Sequence, residues 1–426
     1  MLIRFIVGNF KSFKEKATLS LEATQDDWRE EDNVFHSDKN RLLKAAAIYG
    51  PNAAGKSNFL VAMQVYRSLV QESSKDSQKG EPISVIPFRL QGSTENAPTF
   101  FEALFLQNGT RYRYGFEATQ KGVSAEWLFS QAESIRETQL FTREYDIIKP
   151  TDSFKEGKGL EARTRSNALF LSVAAQFNGK IAGEVMNWMN RFRGISGLGD
   201  ENYMDFTASR LSDAQYGPLI RELVKLADVG IEDLQREEVK GDEFKAQVSK
   251  SLPPVLREAV LQAAQSGFAV KTFHKRFDES GKPIGMVQFN LKTEESAGTQ
   301  KFVALTGPFL HTLLEGSILF VDELEARLHP LLTKALVALF NSSSNTKHAQ
   351  LIFATHDEGL LDPQRIRRDQ VWFVEKDELQ ASRLFSLHEI KGVRKEAKFA
   401  KEYLLGQFGG IPRLGDLEGA IARSRE

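Results

Sequence analysis

One eight-residue stretch, GPNAAGKS at residues 50–57, constrains the fold of this chain more than any other feature. It fits the pattern G-x-x-x-x-G-K-[ST], in which a glycine-rich loop wraps round a polyphosphate and points backbone N–H groups at it. The apolar run 45–49 before it predicts a buried strand, and segment 58–70 after it predicts a helix. Strand, loop and helix together are the context that a phosphate-binding loop needs, so a chance match is a poor explanation. The sequence therefore predicts a nucleoside triphosphate site.

Individual residues of the loop have separate chemical tasks. Lys56 is expected to reach the β- and γ-phosphates, and the Ser57 hydroxyl is expected to bind Mg²⁺. The small residues let the backbone approach the anion closely. The predicted nucleotide-binding residues of this segment are Gly50, Pro51, Asn52, Ala53, Ala54, Gly55, Lys56, Ser57 and Asn58.

Composition narrows the class of protein. The 426 residues can bury a large core and predict two or three folding units. The formal charge of −1 gives no bulk argument for nucleic acid, although a local basic patch is compatible with it. The absence of cysteine excludes disulfides, a zinc ribbon and a cysteine nucleophile. No apolar run approaches the ~18 residues of a membrane span, so we expect a cytoplasmic protein without a membrane segment.

Periodicity divides the chain into regions. Residues 2–7 and 14–21 predict strands, and the charged segment 26–41 predicts a loop. Alternation on both sides of Asn108-Gly109 predicts a hairpin, which 125–129 and 139–149 are expected to extend. Strands are also predicted at 268–277 and 286–291. Between 177 and 264 the period becomes helical, with two apolar stripes: Val185, Trp188, Met189 and Phe192, then Leu219, Leu223, Leu226 and Val229.

Two further buried-strand patterns end in polar residues. Residues 317–321 are followed by Asp322 and Glu323, and residues 351–355 are followed by His356. We predict that Asp322 holds Mg²⁺, that Glu323 polarises the attacking water, and that His356 senses the γ-phosphate. Strand-end carboxylates are common and a lone loop histidine is more often structural. The phosphate loop upstream favours the functional interpretation.

A third motif, Ser296-Ala297-Gly298-Thr299-Gln300, precedes a helix-like stretch at 300–314. A hydroxyl and a glycine at a helix N-terminus make an anion site. Taken alone, the same residues are an ordinary helix cap.

The order of these motifs resembles the ABC-type ATPases of the SMC and RecF kind. The opening GNFKSF at residues 8–13 matches their first strand and turn, and this places Lys11 and Ser12 among the nucleotide contacts. In that family two heads sandwich two ATP molecules, so Ser296 and Gly298 would act on the nucleotide of a second copy. The signature departs from the commoner leucine-serine-glycine-glycine form.

The same resemblance implies a metal-contacting glutamine after a strand of the N-terminal lobe. Gln176, which follows the apolar run 167–175, is the matching residue, and it would join Ser57 and Asp322 at the Mg²⁺ ion. The implied fold is α/β: an ABC-type P-loop head with a mixed-sheet N-lobe, a parallel-sheet core and a helical insertion. The expected divisions are 1–176, 177–264, 265–390 and a helical tail at 391–426.

Within this class, the chain resembles compact bacterial ATPases of abortive-infection and phage-defence operons. These are of the RloA and AbiL type and of the type of the AriA subunit of the PARIS system. The resemblance implies slow ATP hydrolysis by a homo-oligomer that senses infection and holds or releases a separate effector, a TOPRIM-type nuclease, on a phage-encoded trigger. The segments that carry the resemblance are 167–178, 227–231, 322–325, 328–330, 403–406 and 409–412.

Two alternatives stay open: a DNA-repair or chromosome-maintenance ATPase that clamps DNA, and a self-sufficient ATP-dependent nuclease. About 88 inserted residues folded back once reach roughly 60 Å, short for a DNA-tethering coiled coil. Residues 373–375 resemble the opening of a TOPRIM domain, yet no Asp-x-Asp follows. The insertion and segment 391–414 are predicted to present the effector surface, because neither is needed to build the nucleotide pocket.

One basic run also has two interpretations. Its members are spaced to share one helical face, which is either solvated or in contact with nucleic acid or an acidic partner. They are Lys391, Arg394, Lys395, Lys398 and Lys401.

Overall fold

A computed structural model describes residues 1–37, 40–76, 78–132, 136–199, 201–240, 266–394, 397–412 and 415. The strands are β1 Leu2–Gly8, β2 Ala17–Ser20, β3 Val34–Ser37, β4 Asn40–Leu43, β5 Ala45–Tyr49, β6 Thr99–Gln107, β7 Thr110–Thr119, β8 Gly122–Gln131, β9 Thr138–Glu144, β10 Ile147–Pro150, β11 Phe192–Ser196, β12 Asp233–Lys240, β13 Ser266–Phe277, β14 Pro283–Asn290, β15 Ile318–Asp322, β16 Gln350–Ala354, β17 Val371–Lys376 and β18 Ser382–Ser386. The α-helices are α1 Glu30–Asn33, α2 Lys56–Glu72, α3 Gly92–Glu95, α4 Phe170–Gln176, α5 Lys180–Asn190, α6 Glu201–Arg210, α7 Tyr216–Leu226, α8 Leu291–Glu294, α9 Ala297–Glu315, α10 Pro330–Phe340 and α11 Phe399–Leu404.

The chain forms two compact units. The first unit comprises Met1–Ile195, Glu315–Leu324 and Val337–Glu426. The second comprises Ser196–Leu314 and Glu325–Leu336. The division therefore differs from the expected one: residues 177–195 belong to the first unit, and the second continues through most of α9.

A seven-stranded sheet in the order β10-β9-β8-β7-β6-β1-β2 forms one layer of the first unit, and all its pairs are antiparallel. The predicted hairpin is confirmed, and its turn residues Asn108 (φ 48°) and Gly109 (φ 74°) have the left-handed backbone that a two-residue turn requires. The sheet of the N-terminal lobe is thus antiparallel rather than mixed.

A six-stranded sheet in the order β11-β15-β16-β5-β17-β18 forms the other layer. Strands β15, β16, β5 and β17 run parallel, and β18 is antiparallel to β17. The strands β5 and β16 are buried at every residue, which explains their continuous apolar sequences. The predicted α/β class with a parallel-sheet core is confirmed.

Helix α2 contributes to the core of the first unit. The Tyr66 ring stacks on Phe116 of the antiparallel sheet, with centroids 5.6 Å apart. The Phe59 ring meets Phe5 edge-on at 5.7 Å. These contacts anchor α2, and with it the loop that begins the helix, to the core of the first unit.

The second unit contains helices and a sheet of its own. Its strands β12, β13 and β14 form an antiparallel three-stranded sheet. Within α9, the Lys301 side chain is fully buried and its Nζ donates to the carbonyl of Ala326.

Four local predictions are wrong. Segment 26–41 contains α1 and the β3–β4 hairpin rather than a loop. The apolar run that ends at Gln176 is helix α4 rather than a strand. The insertion is not all helical, because β11 and β12 lie in it, and its residues 241–264 lie outside the described part. Of the basic run, only Lys401 lies in a described helix, while Lys395 lies outside the described residues.

Helix α7 exists as predicted but buries another face. Its buried residues are Tyr216, Gly217, Ile220 and Val224. The predicted stripe is instead exposed at Leu219 and Leu226.

Candidate nucleotide-binding site

The loop 50–57 connects the carboxyl end of β5 to the first turn of α2, as the motif requires. Two of its glycines have left-handed backbones, with φ of 152° at Gly50 and 119° at Gly55. A Cβ at Gly50 would lie 2.3 Å from the carbonyl oxygen of Val374. A Cβ at Gly55 would lie 2.5 Å from the Ser382 hydroxyl. Both positions therefore exclude any side chain.

Lys56 is buried inside the curve of the loop, with 6 % of its surface exposed. Its Nζ donates to the carbonyl oxygens of Gly50 at 2.8 Å and Pro51 at 3.2 Å. Ser57 next to it is exposed at the N-terminus of α2. The positive end of the helix dipole and the lysine charge thus meet at one point, which suits a polyphosphate.

Two serines from outside the loop, Ser12 and Ser382, form hydrogen bonds to the loop, to the start of α2 and to each other. The Ser382 hydroxyl donates to the carbonyl of Ala54, and the Ser382 N–H donates to the carbonyl of Ser12 at 2.7 Å. The side chain of Asn58 donates to the Ser12 hydroxyl at 2.9 Å. Lys11, which precedes Ser12, has a left-handed backbone with φ of 47°. Sequence reasoning missed Ser382, because no local pattern at the start of β18 connects it with a loop more than 300 residues earlier.

The two carboxylates follow β15 at the same edge of the sheet. The register aligns Val321 with Phe353 and Phe353 with Ala47, so the next row contains Asp322 and Ile48. Strands two apart lie about 10 Å from each other, a gap that side chains and a hydrated ion can fill. Among the described residues, Asp322 Oδ1 is buried without a hydrogen-bond partner.

This chemistry fits a magnesium ion. Carboxylate and hydroxyl oxygens are the hard ligands that Mg²⁺ prefers, and an unpartnered buried oxygen is a place where a cation would compensate the lost hydration. Asp322 and Ser57 supply such oxygens. Glu323, the next residue, has a left-handed backbone with φ of 51°, which turns the chain at the end of the strand.

His356 follows β16, the strand between the other two, and its side chain is exposed. Three hydrogen bonds hold the next residue, Asp357, in place. The N–H of Asp357 donates to the Thr355 hydroxyl at 3.0 Å, and its carbonyl accepts from the Tyr49 hydroxyl at 3.2 Å. Its Oδ1 accepts from the N–H of Gly359 at 2.8 Å. The histidine therefore stands on a well-defined turn at the edge where β5 and β15 end.

Gln176 is not brought to the phosphate loop. It is exposed at the last position of α4, and α4 contacts the far end of α2. The Leu169 N–H donates to the Ser73 hydroxyl at 3.2 Å, and the Ser172 hydroxyl donates to the carbonyl of Val70. Val70 lies 14 residues beyond Lys56, about 21 Å along the helix.

Ser296 and Gly298 lie in the second unit. The Ser296 hydroxyl accepts from the Thr299 N–H at 3.1 Å, which makes the serine an ordinary cap of α9. The serine is exposed. A Cβ at Gly298 would lie 2.7 Å from the carbonyl oxygen of Arg327, so this glycine allows a close backbone approach.

Comparison with solved structures finds similar folds at low identity. The SMC head domain from Thermotoga maritima is 14% identical, with 90% of this chain and 98% of that chain covered and a TM-score of 0.41. The SmcHead bound to the C-winged helix domain of ScpA is 11% identical, with 90% and 97% covered and a TM-score of 0.46. Among curated proteins, none matches this sequence. Among the described helices, none is both long and apolar enough to cross a membrane.

The family comparison covers the site itself. The family model described as "AAA domain, putative AbiEii toxin, Type IV TA system" matches residues 45–362. This range begins at β5 and includes the phosphate loop, the strand-end carboxylates and His356. It spans about three quarters of the chain, and the chain therefore belongs to this family of AAA domains.

Proposed function

We propose that this chain binds ATP with Mg²⁺ and hydrolyses it slowly. One observation carries the proposal: three neighbouring parallel strands end at one edge in the residues that the chemistry needs. Strand β5 leads to Lys56, β15 leads to Asp322 and Glu323, and β16 leads to His356. The family of AAA domains supports the same activity.

Each side chain has a role at a stated atom. Lys56 Nζ would exchange its loop carbonyls for phosphate oxygens, and Ser57 and Asp322 would hold Mg²⁺, which neutralises phosphate charge when bound. The Glu323 carboxylate would orient the attacking water and accept its proton. The His356 imidazole would donate a hydrogen bond to the γ-phosphate. Gln176 is left out of this set because α4, which it ends, contacts the far end of α2 through Leu169 and Ser172.

Two substitutions test the activity. Lys56→Ala should abolish productive ATP binding, because the buried charge that faces the phosphates is lost. Glu323→Gln should still bind ATP but lose a factor of about 10² to 10⁴ in turnover, the range for a positioned base. Nucleotide titration and phosphate release measure the two steps. Glu378→Gln, at an exposed glutamate of the same unit, is the matched control. Unchanged turnover in Glu323→Gln would remove this residue from the base role.

The biological role that we propose is that of a sensor or scaffold subunit in an anti-phage, abortive-infection system. ATP would be bound in a head-to-head sandwich of two copies, with the exposed Ser296 of one facing the nucleotide of the other. The assembly would hold a separate effector, a TOPRIM-type nuclease, and release it on a phage-encoded trigger. The family description, which names a toxin of a type IV toxin–antitoxin system, supports a role in such systems.

Affinity purification from the native host tests this role. The wild-type chain purified with ATP should retain a second protein with nuclease activity, and Lys56→Ala should retain less of it, because release requires differential affinity between two nucleotide states. Mass spectrometry identifies what co-purifies. Nuclease activity in the purified chain alone, abolished by Lys56→Ala, would favour the self-sufficient nuclease. ATP-dependent and strongly salt-sensitive binding of linear DNA would favour the DNA-clamping ATPase.

A further inference from the structure

The C-terminal segment 399–410 packs against the end of strand β5, where the phosphate loop begins. Its residue Tyr403 is buried, with 7 % of its surface exposed. The Tyr403 ring contacts Tyr49, the last residue of β5, at a centroid distance of 5.8 Å. It stacks on Phe373 of β17 at 5.4 Å. In the sheet, Phe373 is the direct neighbour of Tyr49. The aromatic ring thus rests on the last residue of β5 and on the neighbouring residue of β17.

The hydroxyl of Tyr403 donates to the carbonyl of Gly410 at 2.9 Å, which connects the ring to the turn at the end of the C-terminal segment. Burial raises the pKa of Tyr403 to about 12, so the hydroxyl keeps its proton throughout the physiological range. One side chain therefore connects the turn of the C-terminal segment with Tyr49, the residue directly before the first glycine of the phosphate loop.

A second tyrosine extends the connection to the turn that carries His356. The Tyr49 hydroxyl donates to the carbonyl of Asp357, the residue directly after the histidine. The Tyr49 and Tyr403 rings are in contact. A shift of the C-terminal segment would therefore also displace Tyr49 and its hydroxyl, which holds the turn of His356. The loop and the histidine turn are thus held through one aromatic pair.

The C-terminal segment is docked too closely to move without Tyr403. Gly410 has φ of 66°, and a Cβ there would lie 3.2 Å from the Phe373 ring. Gly409 has φ of 72°, and its Cβ would lie 2.7 Å from Glu375 Oε2. Both glycines are needed for this turn, which presents the Gly410 carbonyl to the tyrosine. Residues 399–410 of segment 391–414 thus pack against the strand that leads into the phosphate loop.

We propose that Tyr403 is a positioning residue of the nucleotide site, and that the C-terminal segment 399–410 regulates ATP binding through it. The inference rests on the proposed ATP site and adds a means of control to it. Displacement of the segment would remove the Tyr403 ring from Tyr49, which directly precedes Gly50, and would loosen the His356 turn through the Tyr49 hydroxyl. The two tyrosines would consequently affect different steps of the reaction.

Conservative substitutions separate the two steps. Tyr403→Phe keeps the ring and removes the hydrogen bond to Gly410, so the segment should dock less firmly and ATP should bind about 3- to 10-fold more weakly, the effect of one lost hydrogen bond. Tyr49→Phe should leave ATP binding within about twofold and lower kcat by a similar 3- to 10-fold. Leu404→Ala, at the exposed neighbour of Tyr403, is the matched control and should change neither. A general loss of structure would instead move both constants together in both tyrosine variants.

Hydrogen exchange of the wild-type chain gives a second measurement that needs no substitution in the segment. Since coupling is reciprocal, a non-hydrolysable ATP analogue should slow amide exchange in residues 399–410. The same analogue should have no effect in Lys56→Ala. Unchanged exchange in the wild type, together with wild-type kinetics in both tyrosine variants, would overturn this inference while the ATPase activity stood. A wild-type chain that bound no ATP would overturn the proposed function as well.

Discussion

Ser382 shows how a single residue can matter to the phosphate loop without facing the nucleotide. Its hydroxyl donates to the Ala54 carbonyl, and its N–H donates to the Ser12 carbonyl. The side chain is 6 % exposed, so water cannot replace either bond freely. The residue therefore connects the start of β18 both to the phosphate loop and to the turn that contains Ser12.

Ser382→Ala should weaken ATP binding about 3- to 10-fold, because the Ala54 carbonyl would lose a buried donor worth roughly 1 kcal/mol. The melting temperature should fall by no more than about 2–4 °C in a chain of this size. Equilibrium nucleotide titration and thermal unfolding measure the two effects. Ser343→Ala, at an exposed serine of the same unit, is the control. ATP affinity equal to that of the control would show that the loop does not depend on this bond.

At the scale of elements, helix α4 is the clearest case of tertiary contacts that override a local pattern. Its sequence FLSVAAQ is apolar enough for a buried strand. The backbone N–H groups of Phe170 and Leu171 instead donate to the two oxygens of Glu126 on β8, at 2.7 and 3.0 Å. A carboxylate from another element thus caps the helix N-terminus, where its charge also meets the helix dipole.

Burial of Glu126 depends on further partners. Arg143 lies 3.8 Å from its Oε2, and the Tyr114 hydroxyl donates to its Oε1 at 2.9 Å. Burial raises the pKa of Glu126, while Arg143 and the donated hydrogen bonds oppose this shift. The partners come from β7, β9 and α4, so no window of sequence contains the group that makes α4 a helix.

At the scale of the whole molecule, the proposed sandwich predicts that each active site is shared between two copies. Ser296→Arg should block hydrolysis without affecting nucleotide binding by a single chain, because the bulky cation would stand at the exposed N-terminus of α9. Lys56→Ala should instead disable the half of the site that binds the phosphates in its own chain. Mixing the two inactive proteins should restore part of the activity, since one mixed interface contains both intact halves.

Phosphate release at several mixing ratios measures this rescue, with each variant mixed with itself as the control. Subunit exchange must be shown independently, for example by co-purification of differently tagged chains. Absence of rescue at every ratio under these conditions would contradict the shared site. Full activity in Ser296→Arg alone would show that this serine is only the cap of α9.

Sequence by itself determined the parts of the site that depend on neighbours along the chain. The glycines, Lys56 and Ser57 follow a strand and begin a helix, and backbone geometry at a phosphate loop permits few other residues there. The sequence also predicts the strands β15 and β16, because a strand buried on both faces must be apolar throughout. The parallel pairing of β15, β16 and β5 agrees with the predicted α/β class.

Only the tertiary structure decided which distant residues support that site. Ser382 reaches the loop, and Tyr403 reaches the last residue of the strand before it, from more than 300 residues away, and nothing in their local sequence marks them for this role. The segment that ends in Gln176 is a helix that contacts the far end of α2, and Glu126, a carboxylate from β8, caps it. The physical reason is the same in each case: a hydrogen bond between residues far apart in the chain depends on how elements pack, and local periodicity contains no information about that packing.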